Sequence, residues 1–85
     1  MENIWYGDEP VSVEARLLPD GKIHPTAFSW RGRRQSVTGL GRQWEAADGR
    51  HVLVTTGNGN RYELCLSSDQ KSWRLRRAWE RPYLA

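Results

Sequence analysis

Cysteine is nearly absent from this sequence, which has only Cys65 among its 85 residues. One cysteine cannot form an intramolecular disulfide, and we expect that no cysteine-based zinc site can be assembled within one chain. Chains without disulfides are typical of reducing compartments. We therefore expect no disulfide, no metal and no other cofactor.

Long apolar runs are absent as well. The first ten residues, MENIWYGDEP, have neither the basic start nor the apolar stretch of a secretory signal. No run approaches the roughly 20 apolar residues that span a bilayer. A helical period of apolar residues is also missing, because glycine or proline interrupts every candidate segment. These absences predict a cytoplasmic protein that neither enters a membrane nor folds into helices.

Short alternating runs separated by turn sequences remain, and they predict β-strands. The runs are VSVEARL at 11–17, HVLVTT at 51–56, RYELCL at 61–66 and WRLRRAWE at 73–80, with turns at LPDGK, AADGR and GNGN. Residues 27–38 predict a hairpin that turns at Trp30-Arg31-Gly32-Arg33, and GLGRQW predicts a bulge. We expect an all-β fold, either a small antiparallel barrel or a strongly curled sheet of five to six strands.

The same patterns predict the domain boundary and the faces of the strands. Alternation begins at Val11, so residues 1–10 are expected to form a less ordered N-terminal arm and residues 11–85 a single β domain. Pro25 indicates a sheet edge or a connection. In RYELCL, one face is expected to hold Tyr62, Leu64 and Leu66 and the other Arg61, Glu63 and Cys65. In WRLRRAWE, one face is expected to hold Trp73, Leu75, Arg77 and Trp79 and the other Arg74, Arg76, Ala78 and Glu80.

Basic charge is concentrated in the later part of the chain. Residues 1–20 hold one cation and five acidic residues, whereas residues 21–85 hold twelve cations and five acidic residues. Eleven of the 13 cations are arginine, whose planar side chain binds phosphate and carboxylate in pairs of hydrogen bonds. A genomic bias toward arginine codons would produce the same excess.

Two groups of arginines are candidate contacts for a polyanion. Arg31, Arg33 and Arg34 surround the hairpin turn with Arg42 nearby, and Arg74 and Arg76 lie in the last strand. If the sheet brings both groups to one face, they form a basic stripe suited to phosphate. The alternative is a solvated strand face whose arginines pair with neighbouring glutamates.

Trp30 is the one tryptophan for which the pattern favours a binding role. The sequence has five tryptophans, and strand patterns assign most of them to the core. Trp30 stands beside the turn among arginines, where its ring would stack on an unpaired base while guanidinium groups take phosphates. The structural alternative is an arginine lying over the same ring as a cation–π pair.

Catalytic chemistry has little support. Neither His24 nor His51 belongs to a recognisable nucleophile or metal motif, and an unpaired cysteine such as Cys65 usually behaves as a small apolar residue. The GNGN turn lacks the spacing of a phosphate-binding glycine loop, and no helix follows it. We expect no catalytic residue, and the chain is expected not to be an enzyme.

One set of segments resembles a known family. FSWRGRRQSV, Trp44, RYEL and SWRLRRAWE, in that order, are similar to a family of small uncharacterised bacterial domains with a Trp-Arg-Gly-Arg signature. The resemblance covers about residues 24–80. Similar sequence occurs at the C-terminal end of the polymerase-like subunit of the bacterial damage-inducible mutagenesis complex, an inactive relative of Y-family DNA polymerases. The resemblance implies a link to DNA repair or translesion synthesis.

The sequence therefore favours a non-enzymatic β module that binds single-stranded or duplex DNA weakly and without sequence specificity. Its predicted contacts are Arg31, Arg33, Arg34, Arg42, Arg74, Arg76 and Trp30. The alternative is a protein-interaction module that docks a repair or replication protein, or that pairs with itself through an exposed strand edge. A further hypothesis is that Glu2, Asp8 and Glu9 cover the arginine face and compete with a polyanion.

Overall fold

Six antiparallel strands account for nearly all of the chain in the computed structural model, which describes residues 3–80. They are β1 Asn3–Leu17, β2 Ile23–Trp30, β3 Arg33–Ala46, β4 Gly49–Thr56, β5 Arg61–Ser67 and β6 Trp73–Glu80. Each strand pairs with its neighbours along the chain, and β6 pairs with β1, so the sheet closes into a barrel. The predicted all-β small barrel is confirmed. Residues 3–80 include no helix long and apolar enough to cross a membrane.

Buried side chains from four of the strands, β2, β4, β5 and β6, fill the barrel. The fully buried cluster consists of Phe28, Trp30, Val52, Val54, Tyr62, Leu64, Leu75 and Ala78. The ring centroid of Tyr62 lies 4.9 Å from that of Phe28 and 6.3 Å from that of Trp30, both in edge-to-face arrangements. Such aromatic pairs bury much apolar area per residue, which a barrel of this size needs to be stable.

The first strand extends through the segment that the sequence assigns to an arm. Residues 3–11 pair with β6, from Asn3 opposite Glu80 to Val11 opposite Trp73, and residues 12–17 pair with β2. The predicted boundary at Val11 is therefore wrong for residues 3–10, because Trp5 packs against the core and the backbone completes the β6 ladder. Residues 1–2 of the predicted arm and 81–85 of the predicted domain lie outside the described residues.

Bulges change which face a side chain reaches. The register of β3 on β4 shifts between Val37 and Gly39 and again between Leu40 and Gln43, which confirms the bulge predicted in GLGRQW. In β6, Leu75 pairs with Leu64 but Arg77 pairs with Glu63, so Arg76 is an extra residue. Simple alternation over WRLRRAWE was therefore wrong, since β6 buries Leu75 and Ala78.

Strand β5 is buried on both faces. Tyr62, Leu64 and Leu66 point into the barrel as predicted, but Glu63 and Cys65 on the outer face are also buried, at 5% and 3% exposure. A buried carboxylate must be hydrogen-bonded or paired to offset the loss of its hydration. The outer side of β4, β5 and β6 therefore carries a polar cluster that covers these residues.

Candidate nucleic-acid interface and outer-face cluster

The predicted hairpin turn forms as expected. Trp30 pairs with Arg33, and the two residues between them have positive φ angles, 51° at Arg31 and 75° at Gly32. Two consecutive positive φ values give the type I′ geometry that matches the twist of the adjoining strands. This turn holds Arg31, Arg33 and Arg34 on the surface.

Trp30 is not a stacking surface, which corrects the prediction. Its side chain points into the barrel on the same face as Phe28, and the residue is only 6% exposed. The Arg31 guanidinium lies 4.4 Å from the centroid of the Trp30 ring, which is the cation–π alternative. The indole N–H donates a hydrogen bond of 2.6 Å to Glu9. No free face of the ring remains for a nucleic-acid base.

Arg31 also binds Glu9. Its Nη2 and Nε donate to the two carboxylate oxygens at 2.8 and 3.3 Å. These hydrogen bonds from Arg31, followed by the one from Trp30, hold the pKa of the Glu9 carboxyl below its usual value. One acidic residue of β1 thus occupies both the arginine and the tryptophan predicted to contact nucleic acid.

Three more of the predicted contact arginines have acidic partners. Arg34 pairs with Glu14 at 2.9 Å, Arg76 pairs with Asp48 at 2.5 Å, and Arg74 pairs with the Asp8 side chain and donates to its backbone carbonyl. Arg34 and Glu14 are largely exposed, so their attraction is weak in water. The alternative of arginines paired with acidic neighbours is realised at these positions.

Arg33 and Arg42 differ from the other four. Within residues 3–80, neither forms an ion pair, and both are exposed. The Arg42 guanidinium lies 5.3 Å from the Trp44 ring centroid. Arg33 and Arg34 border a shallow polar groove together with Ser36 on β3 and the β4–β5 turn at 57–58.

Acidic residues separate the two arginine groups. Asp8 and Glu9 are adjacent in β1; Asp8 binds Arg74 on β6, whereas Glu9 binds Arg31 in the β2–β3 turn. The continuous basic stripe considered from sequence is therefore interrupted. A hypothesis drawn from the sequence is that Glu2, Asp8 and Glu9 cover the arginine face. Asp8 and Glu9 make the arginine contacts that this hypothesis requires, whereas Glu2 lies outside the described residues.

Sequence reasoning missed a second group of residues, which we call the outer-face cluster: Asp48, His51, Glu63 and Cys65. His51 Nδ1 lies 2.8 Å from Glu63 Oε2, and His51 Nε2 lies 2.8 Å from Asp48 Oδ1 and 3.6 Å from Cys65 Sγ. The Trp44 ring stacks on the imidazole, with centroids 5.2 Å apart. The cluster therefore combines a histidine, a thiol and two carboxylates at contact distance.

Hairpin register brings the outer-face cluster together. His51 on β4 is directly opposite Cys65 on β5, and Asp48 belongs to the β3–β4 turn three residues before His51. The GNGN turn lies midway between His51 and Cys65, so folding the sequence about that turn would have paired them. His51 and Cys65 were considered separately at the level of sequence, and their pairing was therefore missed.

Ion pairs close the outer-face cluster on the β6 side. Arg77 donates to Glu63 Oε1 at 2.6 Å, and Arg76 binds Asp48 Oδ2. The hydrogen bond from His51, with a smaller contribution from Arg76, lowers the pKa of the Asp48 carboxyl. Burial raises the pKa of the Cys65 thiol, which makes it a poor nucleophile.

An aromatic surface lies where β1 meets β6, and we call it the β1–β6 patch: Ile4, Tyr6 and Trp79. Ile4 is 50% exposed and Tyr6 66% exposed, and Ile4 pairs with Trp79 across the two strands. Guanidinium groups of Arg61 and Arg77 lie 5.5 and 5.0 Å from the Trp79 ring centroid. The patch is therefore apolar in the middle and charged at its border.

Comparisons with known proteins add no relative to these observations. A scan against protein-family models, a search of curated proteins and a search of solved structures found no match for this chain. The resemblance to the Trp-Arg-Gly-Arg family stays a prediction. Functional inference consequently depends on the surfaces described above.

Proposed function

We propose that this chain is a non-enzymatic interaction module that docks a protein partner through the β1–β6 patch. The observation that carries the proposal is the exposure of Ile4 and Tyr6 beside Trp79, with arginines at the border. Tyrosine, tryptophan and arginine are the residues most enriched at the energetic centres of protein interfaces. Single exposed apolar residues are common, but three neighbouring ones on paired strands form a docking surface.

The charge distribution favours a protein over a polyanion. Four of the six predicted contact arginines already bind carboxylates of the same chain, and Trp30 is in the core. Phosphates would have to compete with those carboxylates at every paired position. In the closed barrel each of the six described strands has a hydrogen-bonded neighbour on both sides, although β2 pairs with β3 only over Ala27–Trp30. Docking through side chains is therefore favoured over strand addition. The family resemblance makes a DNA-repair or replication protein the proposed partner class.

Affinity capture with matched variants tests this proposal. The full chain is immobilised and incubated with a nuclease-treated bacterial lysate, and bound proteins are quantified by mass spectrometry. Tyr6→Ser should remove a repair or replication protein that the wild type retains, because the tyrosine ring supplies contact area at the patch. Leu17→Ser alters another exposed apolar side chain of β1, 74% exposed, and should leave that protein bound. Equal capture by both variants would contradict docking at the patch.

Weak nucleic-acid binding at the hairpin is the second candidate function. Arg33 has no ion pair within the described part of the chain, and it borders a polar groove with Arg34 and the turn at 57–58. Arginine side chains and backbone N–H groups in such a groove suit phosphate oxygens. Arg42 lies on the same strand, and its charge would add to the positive electrostatic potential of this surface.

Fluorescence anisotropy of labelled single-stranded and duplex DNA across a salt series tests the second candidate. Each lost phosphate contact should flatten the slope of log affinity against log salt by about 0.9 for duplex DNA. Arg33→Ala with Arg34→Ala should therefore weaken binding and flatten the slope. Arg16→Ala with Lys71→Ala removes the same charge elsewhere and should leave the slope nearly unchanged. Absence of binding by the wild type at low salt rules this function out.

A further inference from the structure

The outer-face cluster places three different metal-ligand side chains around one point. Asp48 Oδ, His51 Nε2 and Cys65 Sγ all lie within 4.8 Å of one another. We propose that Asp48, His51 and Cys65 bind one zinc ion on the outer face of β4 and β5. The site is independent of partner docking, and it departs from the expectation, drawn from a single cysteine, that no cysteine-based zinc site forms within one chain.

The sulfur–nitrogen distance matches tetrahedral zinc, and the nitrogen–oxygen distance is close to it. Bond lengths of about 2.3 Å to sulfur and 2.0 Å to nitrogen place tetrahedral S and N ligands roughly 3.5 Å apart. Cys65 Sγ and His51 Nε2 are 3.6 Å apart. A tetrahedral N and O pair would be about 3.3 Å apart, and the His51–Asp48 separation is 2.8 Å. A small rotation of the Asp48 carboxylate opens that gap, and Asp48 is exposed enough to rotate.

The surroundings of His51 are those of a zinc-binding histidine. Its Nδ1 faces the buried Glu63 carboxylate at 2.8 Å, and a carboxylate in that position fixes the tautomer with Nδ1 protonated and Nε2 directed at the metal. His51 Nε2 faces Asp48 Oδ1 and Cys65 Sγ, the other two proposed ligand atoms. Trp44 stacked on the ring restricts its rotation.

The other two proposed ligands, Cys65 and Asp48, each have an atom available to bind the ion. Cys65 is 3% exposed, and its thiol makes only long contacts, to His51 at 3.6 Å and to the carbonyls of Asp48 and Leu66 at 3.9 Å. Arg76 binds the second oxygen of Asp48, which leaves Oδ1 for the ion. Zinc with one thiolate and one carboxylate is electrically balanced, and Arg77 balances Glu63.

The donor set selects the kind of ion. One sulfur, one nitrogen and one oxygen suit zinc, whereas Mg²⁺ and Ca²⁺ prefer oxygen ligands alone. Three protein ligands leave a fourth coordination position for water or another small ligand. The Asp48 side chain is 45% exposed, so the ion reaches the site from the β3–β4 turn.

Metal titration of the untagged, chelator-treated protein tests the site. Zn²⁺ should bind with one ion per chain in calorimetry, and Co²⁺ used as a spectroscopic probe should produce the absorption of a cobalt–thiolate bond in tetrahedral geometry. Cys65→Ser should abolish that absorption and weaken Zn²⁺ binding at least about 10-fold, and Asp48→Asn should weaken it similarly. His24→Gln alters the other histidine and should change neither signal.

Defined outcomes overturn the site. Failure of the wild type to bind one Zn²⁺, or Co²⁺ binding without thiolate absorption, refutes it. Equal Zn²⁺ affinity in wild type, Cys65→Ser and Asp48→Asn refutes it as well. Circular dichroism verifies that each variant is folded, and Asp48→Asn, altered in an exposed turn, keeps the test valid if replacement of buried Cys65 disrupts the barrel.

Discussion

Tyr62 shows how one residue serves both the apolar core and a polar network. Its ring is fully buried against Phe28 and Trp30. Its hydroxyl accepts hydrogen bonds from the Asn60 and Gln35 amides at 3.3 and 3.1 Å and lies 3.0 Å from a Glu80 oxygen, to which it donates. Within residues 3–80, no buried side-chain nitrogen or oxygen lacks a partner, so the barrel end is closed by polar contacts.

Removing that hydroxyl should therefore destabilise the protein. Tyr62→Phe keeps the ring but leaves the buried amides and Glu80 short of one partner, which costs about 1–2 kcal/mol of unfolding free energy. Tyr6→Phe makes the same chemical change at a ring that is 66% exposed, and it should alter stability by less than about 0.5 kcal/mol. Urea unfolding of both variants measures the difference. Equal losses would show that the network does not depend on Tyr62.

Strand β2 shows what a single element can tolerate in a closed barrel. The sequence predicts an edge or a connection at Pro25. In the structure Pro25 is buried within β2 and pairs with Ala15 beside a bulge in β2, where Thr26 is the extra residue. The ladder between β2 and β3 begins only at Ala27, so the missing proline N–H is not needed on that side. The connection alternative is therefore wrong, whereas Pro25 does lie at an unpaired strand edge on the β3 side, because β2 and β3 pair along only part of their length.

The β3–β4 turn requires glycine at position 49. Gly49 has a φ of 141°, and a Cβ added there would overlap the Leu66 carbonyl group, with its carbon at 2.9 Å. Gly49→Ala should cost at least about 2 kcal/mol, through backbone strain and displacement of β5. Gly39→Ala places its Cβ in ordinary contact with Thr55 at 3.7 Å and should change stability little. Thermal unfolding compares the two; a harmless Gly49→Ala would contradict the close approach.

At the scale of the whole molecule, ion pairs join segments that are far apart in sequence. Asp8 binds Arg74, Glu9 binds Arg31, and Asp48 binds Arg76. The acidic early segment and the basic later segment, which look separate in sequence, are thus combined into a surface of mixed charge. This arrangement is the physical reason that we propose protein docking ahead of polyanion binding.

Acidic pH should destabilise the fold. The pKa values of Glu9, Asp48 and Asp69 are lowered in the folded state, mainly by hydrogen bonds from Arg31, His51 and Ser67, respectively. A lowered pKa contributes stability above the ordinary values of 4.5 for Glu9 and 3.8 for the aspartates, and that stability is lost as pH falls below them. Urea midpoints of metal-free protein should decline below about pH 4.5. Asp69→Asn should make the urea midpoint decline less steeply with falling pH. If the variant shows the same pH dependence as the wild type, Asp69 does not contribute to the acid destabilisation.

Alkaline pH should destabilise the fold through different groups. Burial raises the pKa values of Cys65 and Tyr62, so both stay neutral in the folded state at pH values where the unfolded chain ionises. Their contribution is complete below the ordinary pKa of 9.0 for the thiol and is lost as pH rises through the raised values. Urea midpoints should therefore fall above about pH 9. Cys65→Ala should reduce this decline in metal-free protein, and the same alkaline profile in the variant would refute the contribution of the thiol.

Much of the fold was predictable from local sequence. Short apolar runs between turn sequences located β4, β5, β6 and the second half of β1, although alternation gave the wrong faces for β6. The Trp30-Arg31-Gly32-Arg33 and GNGN turns were recognised from glycine and asparagine chemistry. These features depend on residues close to one another in the chain, so the sequence alone determined them. The all-β class followed for the same reason.

Only the tertiary structure determined which candidate residues are buried, which are paired and which lie together. Trp30 is buried because barrel closure brings Trp5 and Glu9 of β1 against it, and these contacts span more than twenty residues. The arginines do not form a continuous basic face, because Asp8 and Glu9 of β1 lie between the two groups. His51, Cys65 and Asp48 meet because hairpin register and a turn place them together, whereas each is unremarkable alone. Contacts between distant residues depend on register and closure, which local patterns do not specify.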